Sequence, residues 1–217
     1  MKVLGFNGSA RKTWNTAILL KKALEGAASQ GAETELIHLY DLNFRGCGSC
    51  FYCKRVGNDQ GICATQDDLT SILEKIRSAD GLVLGSPIYY GTITGEMKSF
   101  LERLLFPYWT YTDPPQSLYP RKIAAGWIYT MNVTEQQMQQ FGYDVHLKNN
   151  ERILRHVFGA AESLVSCDTY QFDDYAKMAA ARFDPAKKAQ RRAEVFPKDC
   201  EAAFAMGIKL ARANTPG

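Results

Sequence analysis

Strand-like and helix-like stretches alternate along the whole chain of 217 residues, and this predicts a doubly wound parallel α/β sheet covered by helices on both faces. Three observations carry the expectation. Residues 3–6 form a short apolar run that passes through a polar turn directly into helical periodicity. Four more strand-like runs follow, at residues 34–39, 81–86, 122–129 and 163–170. Hydrophobic residues make up 46% and charged residues 23%, the balance of an ordinary globular chain large enough for a substantial core.

The elements follow in order. The first helix carries Ala17, Leu20, Ala23, Leu24 and Ala27 on one face. Residues 40–65, after the second strand, form an unusually long loop, a length that points to function. Asp67 is placed to cap a helix with the stripe Leu69, Ile72, Leu73 and Ile76. Pro87 is expected to end the third strand, and 88–94 to be a loop. Residues 95–106 form a helix with Met97, Phe100, Leu101, Leu104 and Leu105 inward. An aromatic segment holds Tyr108, Trp109, Tyr111 and Tyr119. Residues 132–141 and 148–158 are expected helices, broken around Gly142. After the fifth strand, Asp184 and Pro185 open a helical region whose last stripe is Phe196, Cys200, Ala203, Phe204, Gly207, Ile208 and Ala211.

Right-handed crossovers in so short a chain fit the flavodoxin-like strand order 2-1-3-4-5. The expected division is a flavodoxin-like domain over 1–182, with a C-terminal helical extension over 183–217 packed on it. Ligands in such sheets bind beyond the carboxyl ends of the strands. The chemically unusual loops, 7–16, 40–65 and 87–94, all fall there.

The net charge of +3 is too small to argue for nucleic acid. A basic cluster at Lys187, Lys188, Arg191 and Arg192 reads as a solvated helix face. No apolar run approaches a membrane span, and the fold is expected to begin at Lys2 with no export leader. With its cysteines crowded into one loop, the chain is expected to be cytoplasmic.

The first loop holds Asn7, Gly8, Ser9, Arg11, Thr13, Asn15 and Thr16. A helix N-terminus offers free N–H groups and positive partial charge. Ser9, Thr13 and Thr16 add hydroxyl donors, and Arg11 can pair with a dianion. The glycine patterns of the common nucleotide loops are missing, so a terminal monophosphate fits better than a pyrophosphate. The plain alternative is a polar turn before a capped helix. A second loop, Ser86-Pro87-Ile88-Tyr89-Tyr90-Gly91, contains no carboxylate or histidine. Its fixed turn and flat side chains suit a planar heteroaromatic ring held by backbone groups, and no catalytic acid or base is assigned.

Taken together, Gly8-Ser9-x-Arg11-x-x-x-Asn15-Thr16, Ser86-Pro87-Ile88-Tyr89-x-Gly91 and Met97-Lys98-x-Phe100-Leu101-x-Arg103 resemble the NADPH-dependent FMN reductase family, close to its iron–sulfur flavoprotein branch. The resemblance covers roughly residues 1–130. It implies that Ser9, Arg11, Asn15 and Thr16 hold the FMN phosphate. Pro87, Ile88, Tyr89, Tyr90 and Gly91 would hold the isoalloxazine, with 130–133, including Met131 and Asn132, flanking the ring. Trp14 stands where many members carry glycine, and Met131-Asn132 replaces an expected glycine-rich loop.

Cys47, Cys50 and Cys53 are spaced by two residues, with Cys63 further off. They suit free structural or redox thiols first, then a [4Fe–4S] cluster, then zinc. Cys167 and Cys200 read as core, and His38, His146 and His156 share no ligand spacing.

The resemblance implies an FMN-dependent oxidoreductase that takes hydride from NAD(P)H as co-substrate and passes it to a flavin, quinone or other acceptor. The alternatives are an iron–sulfur flavoprotein or flavodoxin-type electron carrier, and a flavin-free redox module. Expected partners are a small-molecule or redox-protein acceptor and further copies of the chain, the aromatic segment being hard to bury in one copy. No nucleic acid or membrane partner is expected.

Overall fold

β1 (Lys2–Asn7) lies between β2 (Glu33–His38) and β3 (Gly81–Tyr89), and the sheet continues through β5 (Ile123–Thr130) to β6 (Gly159–Ser166). All four pairings are parallel, and β4 (Thr92–Ile93) adds antiparallel to the end of β3. Apart from that hairpin strand, the order is the 2-1-3-4-5 predicted from sequence. The computed structural model describes residues 1–57 and 60–213.

The sheet separates two cores, because successive strand side chains face opposite ways. On one face Leu82 and Leu84 of β3 pack with α2 (Leu69–Ser78), α3 (Gly95–Leu105) and α5 (Tyr143–Phe158). On the other, Val83 packs with α1 (Asn15–Ala28) and α7 (Phe196–Arg212). The last two helices meet backbone to backbone. A Cβ added at Gly207 would lie 1.7 Å from the Ala23 carbonyl oxygen, and one at Gly26 2.0 Å from that of Phe204. Two shorter helices, α4 (Glu135–Gln140) and α6 (Pro185–Glu194), complete the set.

Several boundaries differ from expectation. Pro87 does not end β3, which runs on to Tyr89. β1 has already ended opposite Gly85, so a missing N–H at Pro87 costs no ladder bond on that side. Residues 88–94 are accordingly a hairpin. Tyr90 and Gly91 form its two-residue turn, with φ of 51° and 86°, as a primed turn requires.

β6 ends at Ser166 instead of 170. The chain leaves the sheet because Asp168, at φ 53°, and Thr169 donate their N–H groups to the Val133 and Met131 carbonyls. The helix expected from 132 starts only at Glu135, behind a Thr134–Gln137 capping box. The helix expected from 148 begins earlier, at Tyr143.

The aromatic segment is core at its two ends. Tyr108 and Tyr119 are buried edge to face, and Tyr119 meets Phe158 in the same way. Only Tyr111 among its tyrosines is well exposed, and residues 111–116 around it are exposed as a run. Among the described residues, no helix is long and apolar enough to cross a membrane.

Candidate functional site

β1 delivers its last residue, Asn7, to the sheet edge opposite His38 and Gly85. The buried Asn7 amide shapes the loop that follows. Its Oδ1 accepts from the Ser9 N–H (3.1 Å), and its Nδ2 donates to the Ser9 carbonyl (3.3 Å) and to His38 Nδ1 (2.9 Å). Ser9 Oγ then accepts from the Arg11 N–H. Gly8 passes so close to α3 that a Cβ there would lie 2.8 Å from Met97 Cβ. The Thr94 hydroxyl, which also caps α3, donates to the Gly8 carbonyl at 2.7 Å.

α1 starts at Asn15 with neither a side-chain cap nor an acidic residue in its first turn. Its N–H groups and dipole therefore favour an anion from outside the helix. Ser9, Arg11, Trp14, Asn15 and Thr16 line one wall of a cavity of about 330 Å³. Pro87, Ile88 and Tyr89 of β3 line a second wall, and Thr130, Met131 and Asn132 a third. Thr16 and Thr130 join two of these walls through their hydroxyls, 2.8 Å apart.

Three of the residues assigned from sequence are placed elsewhere. Thr13 is exposed, Tyr90 is fully exposed at the hairpin tip, and Gly91 sits under the Tyr143 ring. None of the three lines the cavity.

The fourth wall was not legible in the sequence. Residues 169–172, of which 169 and 170 were expected to end the fifth strand, form a strap over the first loop. The Tyr170 carbonyl accepts from Trp14 Nε1 (3.0 Å) and Asn15 Nδ2 (2.7 Å), and the Gln171 carbonyl from Arg11 Nη1 (2.7 Å). The Arg11 guanidinium lies over the Trp14 indole, 4.6 Å from its centroid. Trp14 thus packs within its own chain.

The basic cluster on α6 also differs from expectation. Lys187 is exposed, but Lys188 is 5% exposed, and Arg191 and Arg192 are half-buried. Lys188 binds Asp168 and Asn132, Arg191 binds Asp199, and Arg192 Nη1 donates to Asn15 Oδ1 at 2.8 Å. Spacings of three and four residues put 188, 191 and 192 on one helix face. Acidic and amide partners make that face the inner one.

The cysteine loop lies at the other end of α3. Cys53 is buried, Cys47 and Cys63 are half-buried, and Cys50 is exposed. All four line one small cavity, with Glu102 and Arg103 of α3 in its wall. Arg103 is 1% exposed. Its Nε donates to Cys63 Sγ at 3.1 Å, and its two terminal nitrogens grip Asp67 at 2.6 and 3.1 Å. The Arg45 and Thr65 carbonyls take its remaining bonds. The Ser49 N–H lies 3.4 Å from Cys47 Sγ, and Ser49 and Phe51 adopt left-handed backbone, φ 53° and 56°.

Lys54 donates to the Phe106 and Trp109 carbonyls beneath the Phe106 ring. Burial raises the Cys53 thiol above its ordinary value and lowers Lys54 below its own. Among the described residues, no three His, Cys, Asp or Glu side chains are gathered to hold a single metal ion, as zinc requires.

An iron–sulfur flavoprotein of Methanocaldococcus jannaschii is 41% identical over 103 residues, 48% of this chain and 51% of that protein. One from Archaeoglobus fulgidus is 39% identical over 103 residues, 48% of each chain. The chain thus spans about half the length of the curated relatives it matches. In fold it resembles an NAD(P)H:quinone oxidoreductase from Methanothermobacter marburgensis, with a TM-score of 0.68 and 15% identity over 97% of this chain and 98% of the other. NADPH-dependent FMN reductase is the family whose pattern matches residues 1–150, and the chain belongs to it.

Proposed function

We propose that the cavity at the carboxyl edge of the sheet binds FMN, and that the protein is a flavin-dependent oxidoreductase using NAD(P)H. The observation that carries this is the uncapped N-terminus of α1 facing Ser9 and Arg11 at one end of the cavity, with the β3 edge at Pro87, Ile88 and Tyr89 in the same cavity. The donors suit a terminal phosphate dianion: first-turn N–H groups, a serine hydroxyl and a guanidinium. β3 runs on past the end of its ladder with β5 at Pro87–Thr130, which leaves the Ile88 backbone for a planar ring, and Thr130, Met131 and Asn132 flank it.

Bound FMN supplies hydride acceptance from a nicotinamide and onward transfer to a flavin, quinone or redox-protein acceptor. No carboxylate, histidine or thiol lines the cavity, so the chain's part is to bind, orient and exclude water. Titrating cofactor-free protein with FMN and FAD, then following NADPH and NADH oxidation with FMN added, tests this. FMN is expected to bind more tightly than FAD, and nicotinamide oxidation to require it. Equal or tighter FAD binding, or no oxidation of either nicotinamide, would sink the proposal.

A specific observation favours a second centre in the cysteine loop. Four thiols share one cavity, and a buried guanidinium donates to one of the sulfurs. Four cysteines that each take one corner suit a [4Fe–4S] cube, whose sulfurs are stabilised by N–H donors. The relatives named as iron–sulfur flavoproteins support ranking the cluster ahead of free thiols, the reverse of the order drawn from sequence. The residues that would hold it are Cys47, Cys50, Cys53 and Cys63. Iron and labile sulfide assays on protein purified without air decide between the two. Stoichiometric iron that is lost in Cys50→Ser supports the cluster, and iron-free wild-type protein rejects it.

A further inference from the structure

We propose that Lys188, on the C-terminal helix α6, is a positioning residue of the flavin-phosphate site. The proposal rests on FMN binding as described above. The Lys188 side chain is 6% exposed, and its ammonium joins two loops that come from different strands. It donates to the Asn132 side chain (2.5 Å) and carbonyl (3.2 Å) in the loop after β5. It also pairs with Asp168 in the loop after β6.

The two loops are stitched further. Thr169 Oγ1 donates to the Met131 carbonyl, and Asn132 Nδ2 to Gln171 Oε1 at 2.6 Å. The strap fixed in this way presents the Tyr170 and Gln171 carbonyls to Asn15 and Arg11. One continuous path therefore runs from the Lys188 ammonium through Asp168 and Asn132 to the two side chains that face the phosphate.

The carbonyls orient these donors without using them up. A guanidinium has five N–H groups and an amide nitrogen two. Only one bond of Arg11 and one of Asn15 Nδ2 go to the strap. Both side chains line the cavity with N–H groups to spare, and fixing them there before any anion arrives lowers the ordering cost of binding.

A purely structural role for Lys188 fits less well. α6 is already fixed by the Asp184 cap, the Arg191–Asp199 pair and the Arg192–Asn15 bond. Both partners of Lys188 lie instead on the cavity loops, and Asn132 lines the cavity itself. Burying an ammonium is costly unless it is paired, and here both pairings serve the strap.

Riboflavin has the ring and ribityl chain of FMN without the phosphate, so it separates phosphate positioning from general damage. Titrating the Lys188→Met variant is expected to show FMN affinity reduced about tenfold, the scale of one charge-assisted hydrogen bond, with riboflavin affinity changed less than about twofold. Combined with Arg11→Ala, it is expected to add clearly less than the tenfold loss it causes alone, since the part of its effect that passes through Arg11 is already gone and only the part through Asn15 remains.

Asp168→Asn is a second variant that keeps the fold, because asparagine tolerates the left-handed backbone at 168. It is expected to lower the preference for FMN over riboflavin in the same direction. Equal losses for both flavins would mark Lys188 as merely structural, and losses that multiply with those of Arg11→Ala would break the path; either overturns the proposal. Wild-type protein that binds riboflavin and FMN alike, or neither, would overturn the phosphate site beneath it.

Discussion

The two candidate centres lie at opposite ends of one helix and are built in opposite ways. α3 is 11 residues long, which at 1.5 Å per residue is roughly 16 Å. Its N-terminal end meets the loop after β1, through Thr94 on the Gly8 carbonyl and Met97 beneath Gly8. Its C-terminal half meets the cysteines, through Glu102 and Arg103. At the first end, most of the groups lie on or just beyond β1, β3 and β5, whose register is set by ladder hydrogen bonds. At the second end no ladder reaches the cysteines among the described residues, and two cations, the half-buried Lys54 and the buried Arg103, hold the loop to α3 and the segment after it. A site on a sheet edge shares its precision among many bonds. A site on a loop concentrates it in a few, so one substitution can undo it.

The sharpest break of that contrast is Arg103→Met. It would leave Asp67, two carbonyls and the Cys63 sulfur without their donor. Breaking a buried pair from one side costs about 3–5 kcal/mol. Urea unfolding is expected to show a loss of that size, with earlier proteolytic cutting in the cysteine loop. The FMN affinity of the protein that remains folded is expected to stay within about twofold, since variants at distant sites act independently. A matching collapse of FMN affinity would mean that α3 couples the two ends rigidly.

Arg11→Ala tests the other end with the opposite signature. Arg11 is exposed and its ion-pairing role is reserved for ligand, so stability is expected to change little. Loss of a charge-assisted pair with phosphate costs roughly 1.5–3 kcal/mol of FMN binding. Calorimetric titration measures the loss, and unchanged FMN affinity would remove Arg11 from the site. Trp14→Gly is expected to have a smaller effect of the same kind, about 1 kcal/mol of FMN affinity, because it removes one hydrogen bond to the strap and the ring beneath Arg11. Tighter FMN binding in that variant would mean that the indole obstructs the cavity.

The same contrast explains what the sequence disclosed. Strand order followed from alternation, and the loop after β1 and the Pro87–Tyr89 edge were legible as candidate site segments because they are local, each lying within a few residues of a strand end. The strap was hidden, because residues 167–170 read as the continuation of the strand that begins in the run Leu164-Val165. Only the distant carbonyls of Met131 and Val133 draw them out of the sheet. Lys188 was hidden for the related reason that a lysine on an amphipathic helix is ordinarily solvated, and its partners lie 20 and 56 residues away in the chain. The Gly26–Gly207 crossing, which seats the last helix, joins two glycines with no local signal of a shared contact. Contacts between distant loops and helices leave no periodicity to read.

The smallest effect concerns pH at the ladder-held end. The Asn7 amide orientation is fixed, because Oδ1 accepts from the Ser9 N–H, so Nδ2 faces His38 and donates. His38 Nδ1 must then be the acceptor, and the ring is neutral with its proton on Nε2. Burial holds His38 below its ordinary value of 6.5; Asp41 opposes the shift, and Lys12 and Lys21 reinforce it. The unfolded chain thus takes up this proton at higher pH than the folded one, and stability rises with pH across the window between the two values. The contribution is complete above the ordinary histidine value and is lost as pH falls through the folded one. Protonation also removes the acceptor for Asn7 and loosens the loop that carries Ser9 and Arg11, so FMN affinity should decline over the same window. His38→Gln supplies an acceptor that does not titrate. Melting temperatures and FMN affinities of the two proteins, compared between about pH 7 and pH 5, should diverge toward acid, with the variant falling less. Parallel curves would show that the histidine plays no part in shaping the phosphate loop.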